Sequence, residues 1–367
     1  KGYATVYDQC SQEVKDKLEG TDDWENIQRD QSLHELINKI ERICVGFDDH
    51  KQEVFNLVQA LKTLFLQRVS LGGNELEAMS QAFSALYRSF QTDVVTRVRC
   101  SPVDGTIYTW IDPPSGRSEH VSLYFHGGGY TMGSTDDHLQ LIASLVEGSG
   151  ISVLGVDYRL CPNDCFPAPL DDAEEAYRWL LAQGYRSEDI AVAGISAGAT
   201  LVTQLLHRCQ SKSLSMPLLA LVMAGVMDFS YGRESVAFNA SDDLVSLQRL
   251  EAVSSHYLPG DGSYDSRALF CVQQDYTSYP RTLFQVGDRE VLLSDAIACF
   301  STLKTSGHDV ALHVVPGMIH CGQLFARDFL PGQRATAEAA FFLREGFSAP
   351  NASSVCGVGD SEKKTGH

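Results

Sequence analysis

Residues 190–201 read IAVAGISAGATL. A run of β-formers ends in Gly194-Ile195-Ser196-Ala197-Gly198, and a small-residue helix start follows. A serine between two glycines at a strand-to-helix junction has two readings. The glycines either just let the chain turn tightly, or they hold the serine exposed and strained as a nucleophile. In the second case the helix amides that begin at Ala197 face any negative charge developing beside it. Gly-x-Ser-x-Gly alone is a weak signal, so the surrounding chain has to decide.

Outward from this stretch, short apolar runs rich in β-branched residues recur: VSLYF (121–125), ISVLGVDY (151–158), LLALVMAGV (218–226), RTLFQVGD (281–288) and ALHVVPG (311–317). Helix-length segments fall between most of them, among them PLDDAEEAYRWLLAQG (169–184) and SDAIACFSTLKTSG (294–307). Continuous apolar strands alternating with helices predict an α/β fold whose mostly parallel sheet is covered on both faces. Right-handed crossovers then line up the strand C-termini, and any site, along one edge. Before this region, VVTRVRCSPVDGTIYTWIDP (94–113) reads as two strands joined at Asp104-Gly105, a hairpin signal.

The first 94 residues differ in kind. WENIQRDQSLHELINKIERI (24–43), KQEVFNLVQALKTLFLQRVSL (51–71) and NELEAMSQAFSALYRSF (74–90) repeat apolar residues at three- and four-residue intervals. This gives a helical extension over 1–94, an α/β domain over 95–348, and an aperiodic tail over 349–367 that reads as mobile. No internal repeat is visible.

Composition narrows the partners. A formal charge of −18 argues against nucleic acid and anionic membrane surfaces, which need basic patches. No apolar run approaches the roughly 18 residues of a membrane span. The ten cysteines are scattered, without paired CxxC spacing, so a zinc site is not indicated and buried thiols in a reducing compartment are the favoured reading. That favours the cytosol; no signal-peptide pattern follows Lys1, but the sequons at Asn239 and Asn351, together with a leader removed from before Lys1, would permit secretion.

Three further stretches fall at strand ends. LYFHGGGYTMGS (123–134) places His126-Gly127-Gly128-Gly129 after a strand, where unshielded backbone N–H groups suit an anion; it lacks the spacing of a phosphate loop. Together with Ala197 N–H, this loop is a candidate oxyanion hole, and His126 reads as stabilising the loop. FQVGDREVLLSDA (284–296) sets Asp288 and Glu290 just past a strand, and VVPGMIHCG (314–322) sets His320 after the last one. Serine, then acid, then histidine is the order of an α/β-hydrolase triad.

With these residues assembled, the sequence resembles the hormone-sensitive-lipase-like carboxylesterases of the α/β-hydrolase superfamily. FHGGGYTMGS, VDYRLCPNDCFPAPLDDA, GISAGA, QVGDREVLL and PGMIH match the family's blocks in order, and SVAFNASDDLVSLQRLEAVSSHYLPG (235–260) resembles its pattern between them. The resemblance implies an α/β-hydrolase fold with the N-terminal helices as a cap. It implies Ser196 as nucleophile and His320 as base, with Gly127, Gly128 and Ala197 as the oxyanion hole and no metal or cofactor. It places Glu290 in the acid register, with Asp288 two residues too early. Ile195, where many members carry Asp or Thr, and Cys161 and Asn163-Asp164 depart from the family pattern without removing a catalytic group.

The implied activity is hydrolysis of small-molecule esters with short to medium acyl chains. An amidase or lactonase using the same triad is the rival within enzymes. A small-molecule receptor on this fold is the rival outside them, and the presence of His320 argues against it. The resemblance also admits a homodimer, although no interface is legible in the sequence.

Overall fold

The structure, a computed structural model, describes residues 97–348 except 104, 105, 261, 263, 265–275 and 328, together with Ser80, Gln81, Phe83, Ser84, Ala85 and Arg88 before them. Most of the predicted cap over 1–94 and the tail over 349–367 therefore lie outside the described residues.

The strands are β1 (Arg97–Val103), β2 (Thr106–Ile111), β3 (Val121–Phe125), β4 (Ser152–Asp157), β5 (Ile190–Ile195), β6 (Leu219–Met223), β7 (Arg281–Gly287) and β8 (Val310–Val315). They form one eight-stranded sheet in the order β1-β2-β4-β3-β5-β6-β7-β8. The hairpin partners β1 and β2 are antiparallel to each other, as is β2 to β4. Every other neighbouring pair is parallel.

The strands look uniformly apolar because both faces are covered. On β5, Ala191, Ala193 and Ile195 join the core under helices α1 (Leu139–Ser149) and α7 (Leu330–Ser348). Ile190 and Val192 join the opposite core under α2 (Ala168–Ala182), α3 (Ala197–Ser211) and α6 (Leu293–Thr305). Each fully buried large side chain contributes roughly 1.5–3 kcal/mol, so two such cores hold the sheet edge rigid beneath its loops. The segment between β6 and β7 adds α4 (Glu234–Phe238) and α5 (Leu247–Tyr257).

The cysteines need one correction. Cys161, Cys209 and Cys321 are buried thiols and Cys100 and Cys165 are half-buried ones, but Cys299 on α6 is disulfide-bonded. Pairing depends on a distance set by the fold, which scattered spacings in sequence do not carry.

The chain leaves β3 toward β4 on one side and returns to place β5 on the other, so the loops after β3 and β5 meet at a switch point. There the glycines of GISAG serve close approach. A Cβ on Gly198 would lie 2.0 Å from Phe125 O at the end of β3, and one on Gly194 would lie 2.3 Å from Gly198 O. We expect Gly198→Ala to lower unfolding free energy in urea by about 1–3 kcal/mol through overpacking. Gly260→Ala, where an added Cβ meets nothing within 4 Å, should change it by less than about 0.5 kcal/mol. Equal effects would contradict the packing account.

Candidate active site

Ser196 occupies the turn between β5 and α3 with φ 54° and ψ −123°, a conformation that side chains rarely adopt. Such strain costs on the order of 1–3 kcal/mol and persists only where the surroundings impose it. Here Ser196 N–H donates to Met223 O at 2.9 Å, and the first turn of α3 donates to Ser196 O from Ala199 and Thr200 at 3.0 and 3.1 Å. The hydroxyl is thereby aimed away from the sheet. Ala197, at the first position of the helix, has an N–H with no partner within the helix.

His320 follows β8 and sits beside Ser196, its Nε2 2.9 Å from Ser196 Oγ. Its Nδ1 lies 3.0 Å from Glu290 Oε2. The carboxylate fixes the tautomer: Nδ1–H donates to Glu290, and Nε2 is left to accept from the serine. Glu290 is fully buried, and its other oxygen accepts Gly287 N–H at 2.6 Å. Burial opposes the charged imidazole, but contacts with Cys321 and the Glu290 carboxylate outweigh it and hold His320 well above the ordinary histidine range. Asp288 points elsewhere, accepting Gly317 N–H at 2.8 Å.

The glycine loop after β3 lies against the serine: a Cβ on Gly127 would stand 3.2 Å from Ser196 Cβ. Gly128 adopts φ +121°, and a Cβ there would lie 2.0 Å from Met132 O, so the loop's path requires glycine. His126 is fully buried beneath it. Its Nδ1–H donates to Gly127 O at 2.7 Å, and its ring stacks on Tyr158 with centroids 4.2 Å apart. Burial pulls this imidazole below its ordinary value, so it is neutral. Just after the loop, the turn Asp136–His138 receives the N-terminal segment. Arg88 Nε and Ser84 Oγ donate to the Asp137 carboxylate at 2.7 and 3.0 Å, and Phe83 stacks on His138.

Ser196, His320 and Glu290 are thus brought into one hydrogen-bonded row, with Gly127 and Ala197 alongside the serine and Gly128 next in the loop. Such a row can move a proton from a hydroxyl to an imidazole while an adjacent acyl carbon is attacked. Among the described residues, no group of three or more His, Cys, Asp or Glu side chains could hold a metal.

Sequence reasoning missed a second set of residues, which holds this row from behind. Asn239 is buried and its Nδ2 donates to Asp288 O at 3.1 Å and Glu290 O at 2.8 Å. The sequon asparagine 239 therefore has its amide nitrogen engaged, and a glycan there is incompatible with this arrangement; Asn351 lies outside the described residues. The Asp243 carboxylate accepts N–H groups from Val291 and His320, both at 2.8 Å. Asp295, apart from this set, holds the loop after β6, accepting from Met227 and Asp228, both at 3.1 Å. The one available signal was local, an acidic pair at Asp242-Asp243 in a segment with no periodic pattern.

A profile of the α/β hydrolase fold family matches residues 122–324. An esterase from Acinetobacter venetianus is 31% identical over 266 residues, covering 72% of this chain and 88% of that protein. An acetyl-hydrolase from Streptomyces hygroscopicus is 32% identical over 253 residues, covering 69% and 82% respectively. The crystal structure of an esterase from the bacterial hormone-sensitive lipase family superposes with a TM-score of 0.73 at 32% identity, covering 79% of this chain and 98% of that one. With that match reaching from the glycine loop past the histidine, the chain belongs to the α/β hydrolase fold family, among the hormone-sensitive-lipase-like esterases.

Proposed function

We propose that the protein hydrolyses carboxylic esters of short to medium acyl chains through Ser196, His320 and Glu290. The observation that carries this reading is the unbroken row Ser196 Oγ, His320 Nε2, His320 Nδ1, Glu290 Oε2, with links of 2.9 and 3.0 Å. Relatives named acetyl-hydrolase and ethyl acetate hydrolase support a small acyl group.

A neutral hydroxyl is a poor nucleophile, so His320 removes its proton as Ser196 Oγ attacks the acyl carbon. The carbonyl oxygen becomes an oxyanion, held by the backbone N–H groups of Gly127, Gly128 and Ala197. His320, now an imidazolium paired with Glu290, protonates the departing alkoxide. Water then attacks the acyl-enzyme with His320 again as base, releasing the acid and restoring the serine. Each step uses groups of the chain and the solvent alone. The substrate is a small molecule, and among the described residues no helix is long and apolar enough to cross a membrane.

Hydrolysis of p-nitrophenyl esters from C2 to C12 tests the reading. Activity should peak at short or medium chains, and Ser196→Ala should lower kcat by about 10⁴-fold or more with the protein still folded. A wild type inert across the series would defeat it.

The acid role has its own test. Glu290→Gln keeps the shape but removes the charge that supports the imidazolium, and should cost roughly 10²- to 10⁴-fold in kcat. Asp288→Asn should cost less than about tenfold, because Asp288 binds Gly317 and not the histidine. The reverse order would reassign the acid.

The pH profile follows from the raised pKa of His320. The imidazole works as a base only when neutral, so kcat/KM should fall as pH drops through that pKa, with a midpoint above the ordinary histidine value of about 6.5. A midpoint near 5 would contradict the assignment.

We also assign the N-terminal segment as a cap, on the strength of the contacts of Phe83, Ser84 and Arg88 with the turn beside the glycine loop. Removing residues 1–94 should abolish activity or broaden its acyl-length profile, and unchanged kinetics across the series would refute the assignment.

A further inference from the structure

Glu290 and His320 are 30 residues apart, on loops after different strands, and their hydrogen bond needs those loops held at a fixed distance. Asp243 spans them. It comes from neither loop but from the segment between α4 and α5, and its carboxylate is fully buried. Oδ2 accepts the N–H of Val291, the residue after Glu290, at 2.8 Å. Oδ1 accepts the N–H of His320 itself at 2.8 Å and that of Leu244 at 2.7 Å.

The neighbours of Asp243 reinforce the same join. Asn239 binds the carbonyls of Asp288 and Glu290, and Arg289 forms an ion pair with Asp242 at 2.6 Å. Residues 239–243 thus grip 288–291 from one side, and only Asp243 reaches across to the histidine loop.

We infer that Asp243 is a positioning residue for the reaction: its buried carboxylate fixes the spacing of the Glu290 and His320 loops through their backbone N–H groups and adds a second negative charge behind the imidazolium. The inference rests on the proposed esterase reading and deepens it.

The charges around Asp243 fix the sign of its effect. Glu290 faces it from the β7 loop, and His320 and Cys321 face it from the β8 loop. Arg289, the nearest cation of that grip, is engaged by Asp242 and faces Asp288. Burial raises the Asp243 carboxyl to about 6, with His320 and the two N–H donors pulling against that rise and Glu290 adding to it. Above that pH the anion grips both loops and favours the imidazolium. Below it the carboxyl takes up a proton, accepts N–H groups weakly, and ceases to support the positive charge.

Asp243→Asn is the informative variant. One amide face can still accept an N–H, but the other presents NH₂ to a backbone donor, and the charge is gone. We expect kcat on p-nitrophenyl acetate to fall about ten- to hundredfold with KM within about threefold, the size of losing a buried charge-assisted hydrogen bond. We expect the acid limb of kcat/KM to move to lower pH by about one unit, since a nearby anion has been removed. Asp295→Asn is the comparison: it cuts an equally buried carboxylate that holds a different loop, and should leave the limb in place whatever it does to stability. A rate loss in Asp243→Asn without a shift of the limb would reduce Asp243 to a merely structural role and overturn the inference.

Two measurements in the wild type keep the inference testable if the variant does not fold. The acid limb of kcat/KM should steepen from one proton to two as pH falls through about 6, where Asp243 protonates. A one-proton slope down to pH 5 would overturn the inference. The His320 imidazole titration, followed by proton NMR and assigned against His320→Gln, should show a second inflection at the same pH. This readout needs no turnover, so failure of the esterase reading and failure of the Asp243 inference give different results.

Discussion

The site depends on one contact between backbones. The first turn of α3 presses so closely on the end of β3 that nothing larger than hydrogen fits at Gly198. That approach forces the chain to leave β5 abruptly and holds Ser196 at positive φ, its hydroxyl raised above the sheet edge. The same contact brings the β3 loop alongside, which is why Gly127 lies against the serine, with Gly128 next in the loop. The strain is sustained by two packed cores, one on each face of the sheet, each contributing far more than the local cost.

Electrostatics then does at the β7 and β8 loops what sterics does at the serine. The buried carboxylate of Glu290 selects the tautomer of His320 and offsets the burial of a positive ring. Its own second oxygen is tied to Gly287, so the acid cannot swing away. His126, by contrast, is buried without a carboxylate against its ring nitrogens. It stays neutral and acts through shape, bracing the glycine loop from below with one hydrogen bond and one stacked ring. The two histidines differ in their partners: His320 has Cys321 and a directly hydrogen-bonded carboxylate to offset burial, whereas for His126 burial outweighs the more distant charges of Asp157 and Asp137.

Much of this was legible in the sequence. Every strand proposed from an apolar run is present, because a sheet covered on both faces needs continuous apolar strands and tolerates little else. The junction at Ser196 was legible because close approach requires glycine at fixed positions. Glu290 and Asp288 could be separated only through family register, since both follow β7 and both are acidic; in the fold one meets the histidine and the other a loop amide. For Asp243 and Asn239 the sequence offered only an acidic pair at 242–243 within a stretch of family-like pattern, and nothing that gave either residue a role. Their partners are backbone groups about 50 to 80 residues away, and a backbone C=O or N–H imposes no pattern on the residue that carries it. The disulfide at Cys299 escaped for the same reason: what decides it is distance in space.

The central claim is that a single serine, activated by His320, performs the chemistry. The most direct measurement treats the protein with diethyl p-nitrophenyl phosphate, which phosphorylates an activated serine, and maps the modified peptide by mass spectrometry. The account predicts one adduct, on Ser196, formed in step with loss of ester hydrolysis and absent in His320→Gln. An adduct elsewhere, or hydrolysis that persists with Ser196 fully blocked, would contradict it.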